Sequence, residues 1–171
     1  KPTGGISCAD TICQHLQLDV PVITNVSVIN TDSGNGEIEV KWVKPLELAD
    51  TIYPPPYQYR LFRAGGQFGN NYTPIYDTTG GITDTFFVFN DSGLNTQDSS
   101  YNYKVRFYYN DSIFKETSDS ASSVWLSALP ACNQVILSWK ANVPWSFIER
   151  YHYIYKMIDT TFQLVDSVLV T

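Results

Sequence analysis

Three observations predict an all-β fold for this chain: strict alternation of apolar and polar residues, turn clusters at short intervals, and no helix-forming run of helical length with a period near 3.6. The alternation is clearest in "EIEVKWV" (37–43), where Ile38, Val40 and Trp42 share one face and Glu37, Glu39 and Lys41 the other. Val, Ile, Thr, Tyr and Phe carry the pattern, and these side chains pack best on a pleated surface. With 43% hydrophobic residues and twelve Tyr, the chain has the material for an aromatic-rich core.

Read in order, "VPVITNVSVIN" (20–30) is the first expected strand, with Val26 and Val28 on one face and Ile23 opposite in phase to Thr24. "TDSGNG" is a turn cluster leading into "EIEVKWV". "KPLELADTIYPPP" reads as a loop, because its run of prolines cannot sit in a central strand. "YQYRLFRA" (57–64) alternates Tyr57, Tyr59 and Leu61 against Gln58, Arg60 and Phe62. "YTPIYDT" and "TDTFFVF" follow as short strands separated by "TGGI", and "NDSGLNTQDSS" reads as a connector. "YNYKVRFYYN" is the strongest strand signal; a turn at Asp111 and a last strand near "SSVWLSA" complete seven strands in about a hundred residues, the spacing of a β-sandwich.

The span 20–126 resembles a fibronectin type III domain, an immunoglobulin-like β-sandwich. Trp42 stands where that family keeps a core Trp, and Leu94 and Tyr101 resemble the family's Leu and corner Tyr, with one residue more between them than usual. The resemblance implies that the Tyr101 hydroxyl bonds backbone near the preceding connection. From 127 the programme restarts: Val135, Leu137 and Trp139 alternate as Val40 and Trp42 do, Pro144 breaks the pattern, and "YHYIYKMI" repeats "YQYRLFRA". Residues 127–171 therefore read as the first half of a following domain, and 1–19 as the last strand of a preceding one, since "TICQHLQLDVP" resembles "SSVWLSALP". The expected architecture is a tandem array with one complete and two incomplete repeats. The start lacks an initiator Met and a signal-peptide pattern, so a processed protein or a piece of a longer one is expected.

Charge and motifs narrow the function. A net charge of −6 and a pI near 4.7 disfavour nucleic acid as a partner, and no apolar stretch is long enough for a membrane-spanning helix. Nucleophile-elbow, zincin and phosphate-loop motifs are absent, which points away from an enzyme and from a cofactor. Three cysteines and two His make neither a disulfide framework nor a zinc site. Cys8 and Cys13 fit a local bridge poorly, Cys13 has its natural partner upstream, and Cys132 reads as a semi-buried thiol. "DSGNGE" has a faint look of a calcium loop without the ligand spacing. His15 and His152 read as surface or edge residues, and most Tyr and Trp as sandwich core.

One pattern exceeds composition. Eleven of the twelve Asp residues are followed directly by Ser or Thr, where roughly two are expected from Ser and Thr content. Seven of these pairs continue with a small or aliphatic residue or Thr, which makes Thr11, Thr51, Thr78, Ser112, Ser120, Thr160 and Ser167 candidates for O-glycosylation of the type known in Bacteroidota. Turn chemistry is the competing explanation. "NQVILSWKANVPWSFIERYHYIYK" (133–156) is also similar to fibronectin-like repeats of Bacteroidota gliding-associated surface proteins, with Trp139, Val143, Pro144, Trp145, Tyr153 and Tyr155 carrying the match. That kinship implies a secreted, extracellular cell-surface location, export by the type IX secretion machinery, and a spacer or adhesion role toward a surface glycan or protein. An accessory module of a secreted carbohydrate-active enzyme, and a binding module presenting the Tyr53 loop, are the competing readings.

Overall fold

The computed structural model describes residues 19–144 and 151–169, and among these the regular elements are all strands. They are β1 (Val22–Asn30), β2 (Gly36–Val43), β3 (Tyr57–Gly65), β4 (Thr73–Gly80), β5 (Phe86–Leu94), β6 (Tyr101–Tyr109), β7 (Ile113–Thr117), β8 (Ala121–Ser122), β9 (Trp125–Ala131), β10 (Gln134–Lys140), β11 (Tyr151–Ile158) and β12 (Thr161–Leu169). Every pairing is antiparallel. One sheet runs β1-β2-β5 and the other β4-β3-β6-β7, with β8 on the remaining length of β6. Their inner faces meet in one core to form a β-sandwich.

The core follows from the alternation. In β2 every second residue is buried, so Ile38, Val40 and Trp42 face inward, and β3 and β6 answer with Tyr57, Tyr59, Leu61, Tyr103, Val105 and Phe107. Phe87 stacks on the Trp42 indole at 5.5 Å, and Tyr76 meets it edge-on at 6.5 Å. Tyr59 lies against both Phe87 and Phe107, at 4.5 and 5.2 Å, so aromatic rings bridge the two sheets. Each such side chain removed from water contributes on the order of 1.5–3 kcal/mol. Tyr101 accepts a hydrogen bond at its hydroxyl from the Asn95 N–H, 3.2 Å away, tying the β5–β6 connection to the head of β6.

Several elements depart from the sequence reading, each for a local reason. In β1 a register shift between Ile23 and Asn25 lets Ile23 and Val26 both point inward, although their spacing is odd. β5 continues through Asn90, Asp91 and Ser92, which read as connector, because Asp91 is buried and paired inside the sandwich. β7 was not expected at all; it returns from a tight turn in which Asn110 and Asp111 adopt φ of 48° and 70°. The strand expected near "SSVWLSA" divides: Ala121 and Ser122 pair with β6, whereas Trp125–Ala131 pairs along its whole length with β10.

β9–β10 and β11–β12 form separate two-stranded sheets. The link to the sandwich is made of direct hydrogen bonds: the Ser122 N–H donates to the Asn142 carbonyl at 2.6 Å, the Asn142 N–H to Ser122 Oγ at 2.7 Å, and Asn142 Nδ2 to Ser120 Oγ at 3.0 Å. Here the expectation that most Tyr and Trp are core fails. Trp125, Tyr151, Tyr153 and Tyr155 are 43–55% exposed, because no facing sheet among the described residues covers these hairpins.

Candidate functional site

A cleft of about 750 Å³ lies between β1 of the sandwich and the hairpins β9–β10 and β11–β12. Alternation places Leu137 and Trp139 of β10 on its wall, Tyr153 and His152 come from β11, and Asn25 and Ser27 of β1 add polar atoms opposite. Trp139 is half-buried and meets the His152 ring edge-on at 5.5 Å and 70°. The lining is mainly apolar and aromatic with a few polar groups, the composition of a recognition surface rather than of a proton-transfer site. Among the described residues no three His, Cys, Asp or Glu side chains gather as a metal-binding group.

A second constellation lies inside the sandwich. Arg63 Nη1 donates to Asp91 Oδ1 and Oδ2 at 2.8 and 2.9 Å, and the Tyr103 hydroxyl donates to Oδ2 at 3.0 Å. Asp91 is 5% exposed and Tyr103 fully buried, so the carboxylate is satisfied by three hydrogen bonds at a largely buried site that only the Arg63 side chain links to solvent. Burial, with the Asp91 charge adding to it, raises the Tyr103 hydroxyl well above the ordinary tyrosine range. This triad ties β3, β5 and β6 together and is not part of the lining of the cleft at Trp139. The sequence marked Asp91 only as part of a polar connector, and nothing in a single sequence pairs it with Arg63.

The candidate glycosylation positions sort by location. Thr51, Ser112, Thr160 and Ser167 are exposed, and Ser112 and Thr160 sit in the hairpin turns β6–β7 and β11–β12. Thr78 is half-buried on β4 opposite the core residue Tyr59. Ser120 is half-buried and its Oγ is held by Asn142. Thr11 lies outside the described residues, as do Cys8, Cys13, His15, Trp145 and the segment read as a preceding strand. Turn geometry accounts for Asp111 and Asp159, whose φ values are 70° and 55°. It does not account for Asp77, Asp91 and Asp166, which lie within β4, β5 and β12 and are still followed by Thr or Ser.

The remaining sequence candidates have plain structural roles. Trp42 and Leu94 are core, at 0% and 4% exposure. Asp32, in the segment with the look of a calcium loop, accepts the Gly34 and Asn35 N–H groups at 2.8 and 2.7 Å, and those bonds lower its pKa. Tyr53 is half-buried with its ring against Tyr109 and beneath Lys115 Nζ at 4.8 Å, so little of it is presented outward. Cys132 is exposed rather than semi-buried, because it falls in the two-residue turn between β9 and β10. No family model matches the chain, and no curated protein matches it.

Proposed function

We propose that this chain is a non-enzymatic spacer or adhesion segment of a secreted cell-surface protein, built from fibronectin type III-like modules in tandem. The observation that carries the reading is the junction: a closed sandwich passes directly into a second antiparallel β unit through paired Ser122–Asn142 hydrogen bonds rather than through a polar linker. A junction made by direct hydrogen bonds with no intervening linker keeps the two units adjacent and limits the distance between them. The Asp-Ser/Thr excess, partly inside strands where turn chemistry does not require it, supports O-glycosylation on an exported protein. The resemblance of residues 133–156 to gliding-associated repeats supports the type IX secretion machinery as the export partner and an extracellular surface as the location.

Surface biotinylation of intact cells of the native host, followed by intact-mass measurement of the recovered protein, tests the reading. Labelled protein carrying hexose increments is expected. Protein found only inside the cells, at the bare mass of its chain, sinks it.

A further inference from the structure

The alternation that turns Tyr59, Leu61, Val105 and Phe107 into the core turns Arg60, Phe62, Lys104 and Arg106 to the outer face of the β4-β3-β6-β7 sheet. Arg60 stands directly opposite Arg106 in the β3–β6 pairing, and Lys104 lies two residues along β6, opposite Phe62. Asp77 of β4 accepts from Arg60 Nε at 2.6 Å, and Lys104 and Arg106 have no ion pair among the described residues. Three cations with one paired carboxylate make a positive face on a chain that carries 17 acidic against 11 basic residues.

Each of these cations is held over an aromatic ring. Arg106 Cζ lies 4.5 Å from the Phe62 ring centre, Lys104 Nζ 4.9 Å from that of Tyr72, and Arg60 Cζ 5.9 Å from that of Tyr108. A ring fixes the direction of a charge while leaving the N–H groups at its edge free to donate. Phe114 of β7 extends the row: it meets Tyr108 edge-on at 5.7 Å and is itself 51% exposed. Like charges directly opposite destabilise a strand pair, and Asp77 compensates only Arg60. The face is therefore prepared, with its side chains already ordered, for negative charge from outside.

We infer that this face binds an acidic polysaccharide, a chain of uronate sugars whose carboxylates meet Arg106 and Lys104 and whose rings lie against Phe114 and Tyr108. Charge complementarity fixes the sign of the ligand. Shape fixes its form: the outer face of a sheet is open, and none of these side chains lines the cleft at Trp139, so the surface suits an extended polymer rather than a small ligand that needs a concavity. The exposed rings favour a sugar over an acidic polypeptide, because the negative face of an aromatic ring attracts the positively polarised C–H groups of a pyranose. The acidic remainder of the chain repels the denser charge of a phosphate backbone. The inference goes beyond the cell-surface reading and uses only the closed sandwich. Protein found inside the cell leaves it untouched, and a failure to bind leaves the spacer untouched.

Polygalacturonate titrated into the full-length protein at low ionic strength, followed by calorimetry, is the test. Saturable binding is expected, and it should weaken about tenfold or more in molar salt. Changing Lys104→Gln and Arg106→Gln together should weaken it about thirtyfold, Lys104→Gln alone about fivefold, and Phe114→Ser about threefold. Near-ultraviolet circular dichroism checks that each variant keeps its core, and the single Lys104→Gln change, which uncovers no core residue, carries the test if the double variant does not. Lys41→Gln removes the same charge from the other sheet, beside Glu39, and should bind as the parent does. Four results overturn the inference: no saturable binding, an equal loss in Lys41→Gln, undiminished binding in Phe114→Ser, or polyglutamate or single-stranded DNA bound as tightly as polygalacturonate. The last would make an acidic polypeptide or a nucleic acid the partner of this face.

Discussion

Replacing Asp91 by Ala removes the acceptor of three hydrogen bonds and leaves the Arg63 guanidinium and the Tyr103 hydroxyl without a partner inside the sandwich. Breaking a buried ion pair on one side costs about 3–5 kcal/mol. The Asp91 side chain is 7% exposed but that of Arg63 29%, so water recovers part of the arginine's solvation and the lower end applies. A loss of about 3 kcal/mol in a domain of this size lowers the melting temperature by roughly 15 °C. Asp91→Asn, which keeps a carbonyl oxygen for Tyr103, should cost about half as much. The triple change Arg63→Met, Asp91→Leu, Tyr103→Phe should recover most of the loss, because all three polar groups leave together. Urea unfolding followed by near-ultraviolet circular dichroism measures each step. An Asp91→Ala variant within about 0.5 kcal/mol of the parent, the range of an ordinary surface change, refutes the reasoning, as does a triple variant no more stable than the single.

Other consequences follow from the same core. The Tyr59 hydroxyl is buried and has no hydrogen-bond partner among the described residues, so Tyr59→Phe should leave stability unchanged or raise it by about 1 kcal/mol, whereas Tyr103→Phe should cost about 1–2 kcal/mol in the same assay. A Cβ added at Gly36 would lie 2.1 Å from Thr96 Oγ1 and 2.8 Å from the Leu94 carbonyl, while Thr96 Oγ1 is itself fixed by the Asn30 carbonyl and the Asp32 N–H. Gly36→Ala should therefore cost about 2–3 kcal/mol and Gly34→Ala, in open space, less than about 0.5 kcal/mol. Burial raises the hydroxyl pKa of both Tyr59 and Tyr103 above the unfolded value near 10. The folded state keeps protons that the unfolded state releases, so stability holds below pH ~10 and then falls by about 1.4 kcal/mol per pH unit for each tyrosine. Absorbance titration at alkaline pH should show these two ionising only with unfolding, and, because burial and the bond to Asp50 raise Tyr57 as well, Tyr103→Phe should lower the slope by about a third; both ionising near pH 10 in a still-folded sandwich contradicts the burial argument.

What a single sequence reveals here depends on whether burial coincides with alternation. β2, β3 and β6 bury every second residue over most of their length, so their faces are readable directly. β5 hides its second half, because Asn90, Asp91, Ser92 and Gly93 have the composition of a turn. They remain in a strand because Arg63 and Tyr103 reach Asp91 from two other strands. The end of the sandwich is obscured for a related reason: Ser118, Ser122 and Ser123 are buried polar residues satisfied by backbone partners, and a Ser-rich segment reads as a loop. The cleft at Trp139 has no signature of its own, since the same alternation that marks a covered strand at Trp42 marks an uncovered one at Trp139.

The Asp-Ser/Thr pairs allow a sharper test than their number does. A transferase acting on the folded protein needs a hydroxyl that is exposed and free of structural work. Thr51, Ser112 and Thr160 meet both conditions on loops or turns, and Ser167 is exposed on β12. Thr78 is half-buried opposite Tyr59. Ser120 is committed to Asn142 at the junction. Modification after folding should therefore appear on peptides containing Thr51, Ser112 and Thr160 and be missing from Thr78 and Ser120. Peptide mapping of protein from the native host reads this directly. A glycan on Ser120 would require the junction to be open when the enzyme acts, because a sugar on Oγ displaces the Asn142 amide. That result would count against the direct junction between the two β units, and so against the spacer itself. Sugars confined to the exposed turns would leave the junction intact, since the Ser112 turn lies at the far end of β6 from Ser122.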